Sequence, residues 1–354
     1  MESEKFEFLV EFLATPSPSG FEQPAAEVWL RQANTFADRT WKDVHGNAFA
    51  ALNESGRPRV MLAGHMDEIG LMVSYIDEKG FLYVRGIGGW DPQILPGQRV
   101  WIQGRAGRVL GVIGRKPIHL LQDEERKKVV KLEDLWIDIG ASSKQEAEQR
   151  VAVGDPVVLA YSPEKLNEEL LVARGIDDRI GAYVVLEALR LLRALRPSCA
   201  AFAVATVQEE VGLRGARTSA FGLDPQVGIA VDVTFTTDTP GTEGEKKRVG
   251  EAKLGAGPVL ARGPNVNPKL FELLVEVAEQ EKIPYQVEPA PRATGTDANA
   301  IQLTRAGVAT ALVSIPNRYM HSPCEVISLA DLEHAARLIA HTCARLSAEV
   351  DFTP

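Results

Sequence analysis

"FAVATVQEEVGLRGA", residues 202–216, sets an unbroken apolar run directly against two neighbouring carboxylates, Glu209 and Glu210. A short apolar run ending in turn residues reads as a buried strand. Adjacent like charges repel, and burying them costs several kcal/mol per ion unless a cation offsets them. The pair therefore lies either in a solvated loop or beside a metal. The same pattern recurs along the chain. "RPRVMLAGHMDEIG" runs into His65 and Asp67, "LLVARG" precedes Asp177 and Asp178, and "VGIAV" (227–231) ends at Asp232. "VATALVSI" (308–315) is followed by "PNRYMHSP", which carries His321. Open α/β sheets bind ligands at the carboxyl ends of their strands, so five segments bring an acid or a histidine to one edge. Singly, each is ordinary: an acid after a strand is most often a loop residue or a helix N-cap. Five at one edge are not.

Helical periodicity fills the spaces between these strands. It covers residues 4–14, Pro24–Asn34, 179–195, 213–222, 268–281, 297–306 and 329–347, with a Gly/Pro-rich loop at 238–268 and a short strand in "PYQVEP". From Gly70 to Tyr161 the texture changes to short β-like runs punctuated by glycine, and only "SSKQEAEQRV" looks helical. This predicts an α/β fold interrupted by a small β-barrel or sandwich. The expected domains are 1–68 and 165–354 for the α/β body and 69–164 for the insertion. On the insertion, "GGWDPQIL" (88–95) is expected to expose Trp90 and Ile94 as interface anchors.

The chain has 354 residues, 45% hydrophobic and 25% charged, with a formal net charge of −9. Its densest basic run, "EERKKVVK" (124–131), is short and mixed with acids, which argues against a nucleic-acid partner. Three scattered cysteines make neither a disulfide framework nor a CxxC site. The N-terminus does not read as a signal peptide and no apolar run approaches a membrane span. A cytoplasmic enzyme or binding protein with no membrane contact is the expectation.

Imidazole with carboxylate suits Zn²⁺, Co²⁺ or Mn²⁺, and the lack of a cysteine set argues against a structural zinc knot. Two histidines with several acids exceed the needs of one tetrahedral ion and match a pair of ions around one water. Consecutive residues in extended backbone point opposite ways, so one of Glu209 and Glu210 ligates while the other faces that water as general base. Which does which stays open at this level, as does the choice between Asp177 and Asp178. His45 in the turn "VHGN", His119 in the insertion, and His334 and His341 on the last helix read as structural or solvated. Cys324 reads as incidental packing, and "GIGGW" (86–90) lacks the Lys-Ser/Thr of a phosphate loop.

Over nearly its whole length the sequence resembles the dinuclear metallo-aminopeptidases that include the tetrahedral (TET) and glutamyl aminopeptidases. "GHMDEIG", "GIGGWDPQILPGQRV", "DIGASSKQEA", "VGDPVV", "GIDDRIGAYVVLEAL", "VQEEVGLRGA", "AVDVT", "TGTDANAIQLTRAGVATALVSIPNRYMHSP" and "EVISLADLE" carry it, in family order. The resemblance implies a mixed central sheet flanked by helices, a zinc-dependent exopeptidase-like catalytic domain, with an inserted PDZ-like barrel for assembly. It implies one ion on His65, Asp177 and Asp232 and a second on Asp177, Glu210 and His321, both Zn²⁺ or Co²⁺. It makes Glu209 the general base and Asp67 the carboxylate that orients His65. It further implies aminopeptidase action on short peptides inside dimers that build a dodecamer. Gly64, Thr294-Gly295 and Cys324 depart from the family pattern, which would have Ala, a double glycine and an aliphatic residue there. Two-zinc deacylases and carboxypeptidases, or a non-cleaving peptide scaffold, are the alternatives. An endoglucanase label fits poorly, because aromatics are only 6% of the chain and glycosidases need a pair of carboxyls flanking the sugar.

Overall fold

A computed structural model describes residues 1–105 and 107–354. In chain order the elements are α1 (Ser3–Ala14), α2 (Gln23–Ala33), β1 (Arg39–Lys42), β2 (Ala48–Leu52) and β3 (Arg59–His65). The inserted stretch carries β4 (Gly70–Ile76), β5 (Leu82–Ile87), β6 (Arg99–Gly104), β7 (Gly107–Gly114), α3 (Asp123–Arg126), β8 (Trp136–Asp138), α4 (Lys144–Arg150) and β9 (Pro156–Leu159). Next come β10 (Glu164–Lys165), β11 (Leu170–Ala173), α5 (Ile176–Leu195), β12 (Ala200–Thr206), α6 (Arg214–Leu223) and β13 (Val227–Phe235). The chain ends with α7 (Lys246–Val249), β14 (Val259–Arg262), α8 (Pro268–Gln280), β15 (Gln286–Pro289), α9 (Asp297–Ile301), β16 (Ala309–Asn317), β17 (Glu325–Ser328) and α10 (Leu329–Ala344).

The main sheet is mixed, in the order β1-β2-β12-β3-β13-β16-β14-β15, with β12, β3, β13 and β16 parallel. Helices cover it, so its central strands are buried on both faces, which is why β12 reads as a continuous apolar run rather than an alternating one. Helix α5 buries Ile180, Val184 and Ala188 at i,i+4 spacing and lies against β3. The contact is close: a Cβ at Gly64 would sit 2.2 Å from the backbone of Gly181. No helix among the described residues is long and apolar enough to cross a membrane.

Strands β4, β5, β8, β7, β6 and β9 close into a barrel with its own core around Leu71, Leu82, Val100, Ile102, Ile137 and Val157. The barrel form rather than the sandwich is realised.

Several local expectations are corrected. Trp90 and Ile94 are half-buried rather than exposed. The Trp90 ring packs against the barrel core and donates Nε1–H to Gly70 O at 2.7 Å. The exposed apolar side chains of the insertion instead include Leu110, Val112, Ile118, Leu120 and Val129. The insertion carries α3 besides the expected α4. Helix α9 stops at Ile301, well short of 306, and Arg305 within the expected span takes positive φ. The loop at 238–268 contains α7 and β14. The β1–β2 hairpin is not among the expected strands; Asp43 Oδ1 closes its turn by accepting the amides of His45, Gly46 and Asn47. Finally, β11 pairs with β10 and β17 in a separate three-stranded sheet, so Asp177 reaches the site from outside the main sheet.

Candidate metal centre

The seven predicted site residues converge where β3, β13 and the turn after β12 meet the start of α5. Asp177 lies between two imidazoles: Oδ1 is 3.2 Å from His65 Nε2, and Oδ2 is 3.1 Å from His321 Nε2. Glu210 Oε1 is 3.4 Å from His321 Nε2, and Glu209 Oε2 is 3.7 Å from His65 Nε2. Asp232 is buried on β13 and offers an oxygen within 4.8 Å of donor atoms of His65 and Asp178. Asp178 is geometrically close as well. However, its oxygens already accept the amides of His65 and Gly181, both at 3.1 Å, which ties β3 to α5 and leaves it less free to ligate.

The backbone around the glutamate pair differs from expectation. Glu209 and Glu210 do not continue the strand. Gln208 has φ +56 and Glu209 O accepts the amides of Gly212 and Leu213, so the pair occupies a turn. The two carboxylates still diverge, one toward each histidine.

Asp67 organises this turn. Its Oδ1 accepts the Glu209 amide at 3.0 Å, and Oδ2 accepts the Glu210 amide at 3.2 Å and the Ser19 hydroxyl at 2.7 Å. His65 Nδ1 is 3.0 Å from the Asp67 backbone carbonyl and 3.5 Å from its carboxylate, so the carbonyl is the nearer partner of the ring.

Three partners were missed in the sequence. Glu325, buried on β17, accepts the amides of Asp177 and His321. Gly89 of the insertion takes His321 Nδ1 on its carbonyl at 2.9 Å. Asp297, at the start of α9, is buried and accepts the Thr206 hydroxyl at 2.5 Å. Glu325 stands in "EVISLADLE" and Asp297 in "TGTDANA", so the signal was present, but neither follows a predicted strand. A carbonyl leaves no side-chain signal at all.

A second buried group supports the cluster from below. Glu68 pairs with Arg174 and with Arg179, whose Nη2 is 3.3 Å away, and accepts the Ser17 amide at 2.9 Å. Arg179 also donates to the carbonyls of Gly175, Phe12, Thr15 and Arg174. This network fixes the segment that carries Asp177.

Burial pushes Glu209 up to about 10 and lifts Asp232 and Glu210 above the usual carboxylate range. Hydrogen bonds to Asp177 and Glu210 raise His321 to about 11. Burial opposes the charged form of His65, but Glu209, Asp177 and Asp67 outweigh it and hold it well above 6.5. Buried acids and imidazoles at these distances share protons in the absence of cations. As a donor set, carboxylate oxygens and neutral imidazole Nε2 atoms suit divalent ions of the zinc or cobalt kind. The residues fit such ions.

The cluster opens on a cavity of about 730 Å³ lined by β13, β15, the 248–252 segment and the 290–296 segment. A hollow of about 850 Å³ lies at the other end of the parallel strands, beneath the C-terminal residues, and collects no histidine–carboxylate group among its lining residues.

The donor set thus lies at the floor of a cavity, in a mixed sheet interrupted by a barrel. The profile of the M42 glutamyl aminopeptidase family matches residues 46–338. A lysyl aminopeptidase of Pyrococcus furiosus is 41% identical over 99% of both chains. The crystal structure of a TET aminopeptidase from a marine-sediment Thaumarchaeota archaeon superposes with a TM-score of 0.92 at 37% identity, covering 98% of each chain. The TET1 peptidase of Pyrococcus horikoshii, described as assembling into a tetrahedron or a large octahedral shell, gives 0.86 at 34% identity over 97% of this chain and 100% of that one. The chain belongs to the M42 aminopeptidase family and is a peptidase.

Proposed function

We propose that the protein is a two-metal aminopeptidase that releases N-terminal residues from short peptides. The observation that carries this is Asp177, with one oxygen toward each histidine. In this reading His65, Asp177 and Asp232 hold one divalent ion, and Asp177, Glu210 and His321 the other. Zn²⁺ or Co²⁺ bound there would acidify a water and polarise the scissile carbonyl. Glu209 takes the proton of the attacking water on its carboxylate and returns it to the leaving amine. Asp67, by collecting the amides of Glu209 and Glu210, fixes the direction of both side chains. The carboxylate-rich floor attracts the substrate's free α-amino group, which favours exopeptidase over internal cleavage. The relatives' names point to lysyl and glutamyl residues, opposite charges, so preference has to be argued from this chain's own cavity.

We further infer that the barrel is the assembly module. Its exposed Leu110, Val112, Ile118, Leu120 and Val129 support this, as does the shell assembly named for the P. horikoshii relative. Dimers building a dodecamer would enclose the sites and limit substrates to short peptides.

The test is a pair of substitutions. Glu209→Gln cannot accept a proton, so kcat falls by about 10²–10⁴-fold while both ions stay bound. Glu210→Gln weakens one metal position first. Metal loss in Glu209→Gln with full occupancy in Glu210→Gln would exchange their roles, and near-normal turnover in both would end the two-metal reading.

A further inference from the structure

The wall of the cavity beside the cluster carries a half-buried carboxylate that has no cationic partner among the described residues. Glu288, on β15, lines the cavity and reaches across to β13, where its Oε2 accepts the Thr234 hydroxyl at 2.7 Å. Two other charged residues of the wall are matched within the protein. Glu251 pairs with Lys246 at 2.8 Å and Lys253 at 3.0 Å, and Arg248 pairs with Glu245 at 2.7 Å. Arg292 is exposed, where solvent screens its charge. Among the described residues, no lysine, arginine or histidine nitrogen lies within 4 Å of the Glu288 carboxylate. From the geometry we propose that Glu288 is the specificity-determining residue of this cavity, selecting substrates whose N-terminal side chain is a cation, lysine or arginine. The inference rests on the aminopeptidase reading above.

Position supports it. Asp232 and Thr234 are two residues apart on β13, so their side chains leave the same face about 6.6 Å apart. Asp232 belongs to the cluster, and Thr234 holds Glu288. The Glu288 carboxylate is thus anchored to the β13 face that carries Asp232, two residues further along the strand. Leu312 and Met320 also line this cavity, giving the aliphatic stem of a lysine or arginine apolar surface to cover. Burial raises the Glu288 carboxyl above its ordinary range, opposed by the Thr234 hydrogen bond. A ligand ammonium or guanidinium beside it favours the ionised form and supplies the missing countercharge.

The test uses the full-length, metal-loaded protein and a panel of Lys-, Arg-, Leu- and Glu-p-nitroanilides. The wild type should show kcat/KM for Lys and Arg at least about tenfold above Leu, with Glu poorest, since a desolvated charge pair discriminates strongly. Glu288→Gln keeps the size and an acceptor for Thr234 but removes the charge. Its Lys-to-Leu ratio of kcat/KM should fall about 10–100-fold, chiefly through KM. Glu288→Lys should move the preference toward Glu. Metal content measured on each variant separates a specificity change from damage to the cluster. A wild type that prefers Leu or Glu, or a Glu288→Gln variant with an unchanged Lys-to-Leu ratio, overturns the assignment of Glu288 and leaves the aminopeptidase reading standing. Failure of the metal-loaded wild type to release any N-terminal residue, from these substrates or from tripeptides, overturns both.

Discussion

Replacing Glu68 by glutamine removes the carboxylate that two buried guanidiniums share beneath the metal centre. Burial would raise this acid's pKa, yet Arg174 and Arg179 hold it below the usual range. Glutamine preserves the size but leaves two cations facing a neutral group. Arg179 retains four backbone carbonyls. Arg174 retains only Ala14 O at 3.2 Å, and its Nε already lacks a partner. One buried charge is therefore left uncompensated, which costs about 3–5 kcal/mol, a large share of a typical total of about 5–15 kcal/mol. At about 2 °C per kcal/mol for a chain of this size, Tm falls by about 6–10 °C. Differential scanning fluorimetry at pH 7, with metal content measured alongside, reads both the frame and the cluster it supports. The double variant Glu68→Met with Arg174→Met recovers much of the loss, because neither of those two charges is then left unpaired. The pH dependence has a definite sign. A depressed folded pKa contributes stability above the unfolded value, near 4.3, and loses it as pH falls through the lower folded value. The gap in Tm between wild type and Glu68→Gln should therefore narrow below about pH 4. A decrease of less than about 2 °C at pH 7, equivalent to about 1 kcal/mol, would refute the charge argument.

Asp177→Ala should lower metal content at both positions; elemental analysis returning two ions per subunit would remove Asp177 as their shared ligand. Trp90→Ala frees the loop that carries Gly89 from Gly70 O, so His321 should retain its ion less well in a chelator titration, and an unchanged titration would count against the loop's role. Gly64→Ala places a methyl group against the Gly181 backbone and should cost about 1–3 kcal/mol through the shift of α5; a wild-type Tm would show that the helix moves freely. Light scattering of the metal-loaded protein should give an oligomer that Leu110→Asp with Ile118→Asp breaks down, whereas a monomeric wild type at micromolar concentration would sink the assembly proposal.

The parts of the fold that were legible were those written in apolar runs. β3, β12, β13 and β16 are buried on both faces, so their sequences are continuous and their ends are sharp, and the acids and histidines just past those ends were visible as a set. What was not legible depends on tertiary contacts. The strand before Asp177 looks like its neighbours, and only pairing with β17 places it in a different sheet. Trp90 looked like a surface anchor because its burial comes from the barrel core and its hydrogen bond from Gly70, neither of which is near it in the local pattern. Glu209 and Glu210 looked extended because nothing in "TVQEEVG" announces the positive φ at Gln208. Glu288 sits in a short strand with no run of its own, and its meaning appears only when Thr234 is found beside it.

A backbone carbonyl can only accept, so the 2.9 Å contact from His321 to Gly89 O requires the proton on Nδ1. With Nδ1 so committed, Nε2 is the nitrogen that faces Asp177 and Glu210, and an ion bound there would take the lone pair of the neutral ring. The tautomer of a histidine in the α/β body is thus written by a residue of the barrel, more than two hundred positions earlier in the chain. The insertion is therefore not a detachable part. A chimera that exchanged the barrel for one of different loop geometry would inherit a correctly placed His321 with the wrong nitrogen protonated, unless the graft also brought a carbonyl to the same point.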